Sequence, residues 1–295
     1  MTYLVKLIRS SVILGSPWRS NILLHSSSLV LISLPQDAEG RVVIVSLPSD
    51  AYINVPYGYG KYRIAAVKKL GKLDKKPELL KDAAEDLFSL PVDGWVDSGD
   101  VQITPESSNP ELVLTLKNYF LSSLVPFTEV QSNLSSLDRL QVALALWGIK
   151  SEKISLFNFS VDSSIMQKSR LPDETEINTV SPEMLYLLLT QEFEDADIRK
   201  QGLRVEVNNT TTIPKIGEKF ARIVSQVGGN VIGVNNRLKN ETRCTVEAPE
   251  SYQKEKLVLF LTQKIGCTLT RSTGVHSADI TIFVGASYAE RWREE

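Results

Sequence analysis

The apolar positions of this chain fall into short unbroken runs in its first third and into helical repeats after that. SLVLISLP (28–35) and VVIVSLP (42–48) are continuous apolar runs of the kind that buried strands show, and the polar QDAEGR between them predicts a hairpin. Ahead of them, the apolar residues of 3–14 and NILL (21–24) read as two early strands, split by Gly15 and Pro17. IAAVKKLGKL opens a helix near residue 64 that Gly71 is expected to weaken or end. Pro77 suits the first position of the next helix, over 77–88, whose Leu79, Leu80, Ala83, Ala84, Leu87 and Phe88 share a face. VDGWVDSGD (92–100) predicts a turn and a short strand, and ELVLTLKNYF the core of a helix over 110–121. A further helix starts near Ser136, is expected to pack Leu137, Leu140, Leu144 and Trp147, and stops at Gly148. KISLFNFS (153–160) alternates as a strand, the polar SSIMQKSRLPDETEINTV reads as a surface loop, and Ser181 with Pro182 opens a helix through SPEMLYLLLTQEF.

Beyond residue 193 the pattern changes. EDADIRKQG is polar and ends in glycine, which predicts a linker over 194–201. LRVEVNN, IGEKFARIVSQV, NVIGVNN, RCTVEAP, YQKEKLVLFLTQKIG, CTLTRS and ADITIFVG then give strand, helix, strand, strand, helix, strand and one strand more. That order predicts a small ferredoxin-like α+β module over 202–287, with Ile216, Phe220, Ile223 and Val227 on the buried face of its first helix and 288–295 as a tail. The whole reads as an α/β protein with a mixed central sheet over 1–193, followed by this second domain.

Composition adds exclusions. With 295 residues, 42% hydrophobic and 23% charged, the chain is long enough for two ordinary globular domains, and its net charge of −2 provides no basic field for nucleic acid. No apolar run reaches the roughly 20 residues that cross a bilayer, and the charges interrupting MTYLVKLIRSSVILG argue against a signal peptide. Cys244, Cys267, His25 and His276 show no zinc spacing; the cysteines read as two small core thiols, with a bridge open to them in an oxidising compartment.

Chemistry is expected on the stretch 42–70, where a buried strand leaves through a Pro- and Gly-broken loop into a helix. Tyr52, Tyr57, Tyr59 and Tyr62 crowd eleven of its residues and suit a carbohydrate-stacking or lipid-lining wall, an interface, or a cover over the core. Asp50 is either a ligand contact or a loop carboxylate, and Arg63 either a ligand contact or a solvated cation. The polar turn Asn208 to Thr212 suits capping more readily than anion binding.

The order NILL, LVLISLPQDAEGRVVIVSLPSD, RIAAV and VDGWVDSGD resembles the LytR-CpsA-Psr domain. LRVEVNNTTTIPKIGEKFARIVSQVGGNVIGVNN with ADITIFVGAS is similar to the C-terminal domain often attached to that family. The resemblance implies a bacterial, extracytoplasmic protein near the membrane. In the family, carboxylates hold a divalent cation and arginines clamp the diphosphate of a polyprenyl carrier while a glycopolymer moves to the cell wall. Here the family's Arg-Ser-Asp falls on Ser26-Ser27-Ser28 and its Pro-Arg-Asp on Pro48-Ser49-Asp50, while Arg63 keeps the cation that opens the next helix. With those charges lost, no catalytic or metal-binding residue and no cofactor are expected. The expected role is binding of an envelope glycopolymer, a polyprenyl-linked lipid or an envelope protein, through Asp50, Tyr52, Tyr57, Tyr59, Tyr62 and Arg63. The alternative is an active phosphotransferase that needs Mg²⁺ and uses Asp50, Arg63 and Asp97 or Asp100. A cytoplasmic scaffold is a third possibility.

Overall fold

The computed structural model describes residues 11–26, 28–36, 40–98, 109–125, 131–237, 241–272 and 277–292. These form two compact units: 1–53 with 61–81 and 92–181, and 182–295 with 54–60 and 82–91. Most of the first apolar run, together with Ser27, Asp100 and His276, lies outside the described residues.

The first unit is built on the two apolar runs. They become β2 (Ser28–Leu34) and β3 (Val42–Pro48), each buried along its whole length, and they pair antiparallel from Ser28↔Pro48 to Ser33↔Val43. β1 (Ser20–His25) lies antiparallel to β2. After β4 (Tyr52–Val55), β5 (Gly60–Arg63) and α1 (Ile64–Leu73) the chain passes through α2 (Leu79–Phe88), most of which belongs to the second unit, and returns as β6 (Gly94–Asp97), which runs parallel to β1. α3 (Asn109–Ser122), β7 (Gln131–Ser132), α4 (Ser136–Gly148) and β8 (Ile154–Asn158) complete a six-stranded mixed sheet ordered β7-β6-β1-β2-β3-β8. Alternate residues fill its two faces. Ile22, Leu24, Val30, Ile32 and Ile44 pack with Leu112, Leu116 and Phe120 of α3 and Val142 and Leu146 of α4. Leu23, Leu29, Leu31, Val43 and Val45 are buried from the other face, and α1 packs on β2. A sheet covered on both faces needs strands that are apolar at every position, which explains why these runs do not alternate.

Asp138 fastens one end of this layer. Its carboxylate accepts from the Ser135 amide in a reciprocal cap at the start of α4, and also from Ser11 Oγ and the amides of Val12 and Ile13.

Three local expectations are corrected. α1 runs through Gly71, because a Cβ there would meet the Lys76 carbonyl oxygen at 2.6 Å; the glycine permits a close backbone approach. The polar stretch after β8 is a hairpin of β9 (Met166–Arg170) and β10 (Glu176–Val180), with β10 parallel to β4 at Thr179↔Tyr52. On α4, Leu144 and Trp147 face outward, while Val142, Ala143 and Leu146 fill the core.

In the second unit, α5 (Pro182–Phe193) is followed by α6 (Ala196–Gln201), a short helix where a linker was expected. Asp195 caps its N-terminus, and Gly202 ends it in the left-handed region at φ 61°. β11 (Arg204–Asn209), α7 (Ile216–Gln226), β12 (Asn230–Asn236), β13 (Thr245–Ala248), α8 (Lys256–Leu259), β14 (Thr268–Arg271), β15 (Ile280–Val284) and α9 (Ala286–Ala289) follow. Ile216, Phe220, Ile223 and Val227 are buried, as the spacing predicts. The element order is the expected one, but the pairing departs from a split βαβ unit. β11 and β12, on either side of α7, pair directly and in parallel, and the sheet reads β12-β11-β15-β13-β14. Cys244 and Cys267, 23 residues apart, form a disulfide.

Candidate functional site

In the first unit, chemistry collects where β1 and β6 end side by side. Their parallel register sets His25 opposite Asp97, and α1 brings Lys68 to the same place. His25 Nδ1 stands 3.3 Å from Asp97 Oδ1, and the Lys68 ammonium contacts Oδ2. Ser98 closes the edge, its amide donating to the His25 carbonyl at 2.9 Å. Burial, reinforced by the Lys68 charge, lowers the His25 imidazole to about 4, so the ring is neutral at pH 7. Burial, then the Lys72 charge, pulls the Lys68 ammonium down to about 8. Asp97 thus carries a charge that Lys68 balances locally, and among the described residues His25 Nε2 is buried without a hydrogen-bond partner.

Ser26 and Ser28 form a turn. Ser26 donates to the Ser28 carbonyl through its amide at 2.9 Å and its hydroxyl at 3.2 Å, and its Oγ accepts from the Ser28 amide at 3.3 Å. Ser28 Oγ is buried without a partner among the described residues. Ser49 and Ala51 offer carbonyls to the start of α1, accepting from Ala65 and Ile64 at 3.0 and 2.9 Å. Two of the N-terminal amides that a phosphate would otherwise find free are therefore already engaged.

The six residues expected to hold a ligand are placed as follows. Asp50 is exposed at the end of β3, and no ion pair joins it to Arg63 among the described residues. Arg63 caps α1, donates from Nε to the Tyr52 hydroxyl at 3.1 Å and lies 5.6 Å from that ring's centre. Tyr62 is exposed beside it in sequence. Tyr57 and Tyr59 belong to the second unit. There Tyr57 occupies the left-handed region at φ 64° and donates to Asp82 Oδ2 at 2.8 Å; burial first, then that bond, raises its hydroxyl to about 12. Only Tyr52 and Arg63 of the six are brought into contact by these bonds.

Asp97 has Lys68 at one oxygen and His25 at the other, Asp50 stands exposed, and among the described residues no three His, Cys, Asp or Glu side chains converge. Sequence reasoning named Asp97 but missed Lys68 and His25. The missing signal was the parallel register of β1 and β6, which puts residues 72 apart side by side.

No protein-family profile matches the chain, and neither does any curated protein. Among solved structures it is similar to Bacillus subtilis TagU, at 11% identity and a TM-score of 0.39, over 59% of this chain and 95% of that one. It is also similar to a transcriptional regulator from Enterococcus faecalis, at 11% identity and a TM-score of 0.44, over 74% of this chain and 97% of that one.

Proposed function

We propose that this protein is a cell-envelope binding protein of LytR-CpsA-Psr type without transfer chemistry, taking a polyprenyl-linked precursor, an envelope glycopolymer or an envelope protein. The observation that carries this reading is the occupied carboxylate at the strand ends. Phosphoryl transfer from a diphosphate needs metal and arginine charge to neutralise the moving group. Here Lys68 balances the charge of Asp97. Hydroxyls stand at Ser26, Ser28 and Ser49, where the sequence resemblance expects a clamp. Hydroxyls, a neutral imidazole and tyrosine rings hold polar and sugar ligands without committing charge to a transition state. The Cys244–Cys267 disulfide suits an oxidising compartment outside the cytoplasm. No described helix is long and apolar enough to cross a membrane.

The test is calorimetric titration of the full chain with a short-chain polyprenyl-diphosphate oligosaccharide, with MgCl₂ and again with EDTA. The reading expects saturable binding of equal strength in both, weakened in Tyr52→Ala and Arg63→Ala. Binding that requires Mg²⁺ would instead favour the transferase reading, with Asp50 and Asp97 as its carboxylates.

A further inference from the structure

The sheet of the second unit is wound in two directions. From β11 the chain crosses through α7 to β12 on one side, and from β13 through α8 to β14 on the other, with β15 between β11 and β13. β11 and β15 are parallel, with Asn209 opposite Val284, so their carboxyl ends open side by side where the direction reverses. That is the place at which open α/β sheets form a ligand crevice. A cavity of about 260 Å³ lies there, walled by 210–213 after β11, by Glu241 and Thr242 ahead of β13, and by residues of 286–290 after β15. All three segments belong to the second unit.

Both walls are fixed before any ligand arrives. Asn209 holds the first. Its Oδ1 accepts from the Thr211 amide at 3.0 Å and hydroxyl at 2.8 Å, and its Nδ2 donates to the Ile213 carbonyl at 2.9 Å. Thr210 Oγ1 donates to the Val284 carbonyl at 2.8 Å, which ties this wall to β15. Opposite, the Glu241 and Thr242 carbonyls accept from the Ala286 and Ser287 amides, each at 2.8 Å. A Cβ at Gly285 would meet the Glu241 carbonyl oxygen at 2.6 Å, so glycine is what lets these segments close. The polar turn after β11 is therefore the wall of a preorganised pocket as well as a cap.

The lining defines the ligand by its hydrogen bonds. Thr212 and Thr242 present hydroxyls that have no hydrogen-bond partner among the described residues, while Glu241 and Glu290 add carboxylates, which accept only. Ile213, Ala286 and Ala289 supply an apolar surface. A phosphate or carboxylate has no hydrogens to give these glutamates. A sugar ring has hydroxyls that both donate and accept, and C–H edges for the apolar side. The volume lies below the roughly 300–1,000 Å³ of pockets for drug-sized ligands and suits a single ring. Lys239 and Arg293 adjoin the crevice in sequence but lie outside the described residues, so position and hydrogen-bonding groups, not net charge, identify the ligand.

We propose that this crevice is a carbohydrate subsite that takes one uncharged sugar residue, its hydroxyls bonded by Thr212, Thr242, Glu241 and Glu290 and its ring lying along Ile213, Ala286 and Ala289. That the sugar belongs to an envelope glycan rests on the function proposed above. The crevice and its chemistry do not, so either can fail alone.

The test is saturation-transfer NMR and calorimetric titration of the full chain with chitotetraose and with maltotetraose, and with spermidine as a cationic probe. The expected result is saturable binding of one or both oligosaccharides and none of spermidine. Thr212→Val combined with Thr242→Val removes two hydroxyls and should weaken sugar binding about tenfold. Ala286→Phe should abolish it by filling the crevice. Because these three positions are exposed, circular dichroism should show unchanged folds. Thr268→Val, on the exposed β14, should bind as the parent does. Tyr52→Ala and Arg63→Ala, which test the ligand of the first unit, should also leave sugar binding unchanged. Equal binding by the parent and by Thr212→Val with Thr242→Val would overturn the proposal. So would the absence of binding by both oligosaccharides, or binding of spermidine in their place.

Discussion

Replacing Lys68 by methionine should change how His25 titrates, because the two share one carboxylate. In the parent protein the imidazole is held at about 4 by burial and by the Lys68 charge. Relative to the ordinary value near 6.5, that shift is worth about 3 kcal/mol, and the His25 side chain is only 15% exposed, so screening removes little of it. Its sign is fixed by linkage. Above pH 6.5 the ring is neutral in both folded and unfolded chains, and the full stability is present. As pH falls from 6.5 toward 4, the unfolded chain takes up a proton that the fold refuses, so stability drops by about 1.4 kcal/mol per pH unit until the folded ring also protonates. In Lys68→Met the carboxylate 3.3 Å from Nδ1 loses its cation and favours the imidazolium, so the midpoint should rise by about one pH unit or more. With only two histidines in the chain, His276→Gln leaves one imidazole signal to follow by NMR. A parent midpoint near 6.5, or a midpoint unmoved in Lys68→Met, would refute the claim that Lys68 balances Asp97.

Three further outcomes test the scaffold. Reducing Cys244–Cys267, which closes a loop over a separation of 23 residues, should cost about 3 kcal/mol, read as a lower urea midpoint with dithiothreitol than without. Asp138→Ala strands the Ser135, Val12 and Ile13 amides and should lower stability by about 3 kcal/mol, with the loss read in the thermal midpoint. Lys219→Met leaves Asp86 buried without the ammonium that bonds both its oxygens at 2.9 Å. Denaturant melts should then show a loss of about 3 to 5 kcal/mol, which Lys219→Met combined with Asp86→Leu largely restores.

The elements legible in the sequence were those whose pattern is set by their own environment. β2 and β3 are apolar throughout because both faces of the sheet are covered, and α4 and α5 begin at Ser135 and Ser181–Pro182, where capping chemistry is local. The β9–β10 hairpin was not legible. MQKSR and EINTV carry few apolar residues to mark a buried face, and their pairing depends on each other and on β4. Leu144 and Trp147 misled for a related reason: an apolar stripe at helical spacing gives the period but not the direction, and α4 has two such stripes. The disulfide and the His25–Asp97–Lys68 cluster depend on register between elements far apart in sequence. Asp50 and the tyrosines stand out in the sequence because they crowd one stretch; Lys68 looks like any solvated helix lysine.

The most direct test of the central claim is a transfer assay. The full chain is incubated with MgCl₂, a short-chain polyprenyl-diphosphate oligosaccharide and a peptidoglycan acceptor, and the released polyprenyl phosphate is quantified. The account predicts no release above the protein-free rate while the donor is measurably bound. Metal-dependent release that Asp50→Ala or Asp97→Asn abolishes would contradict it.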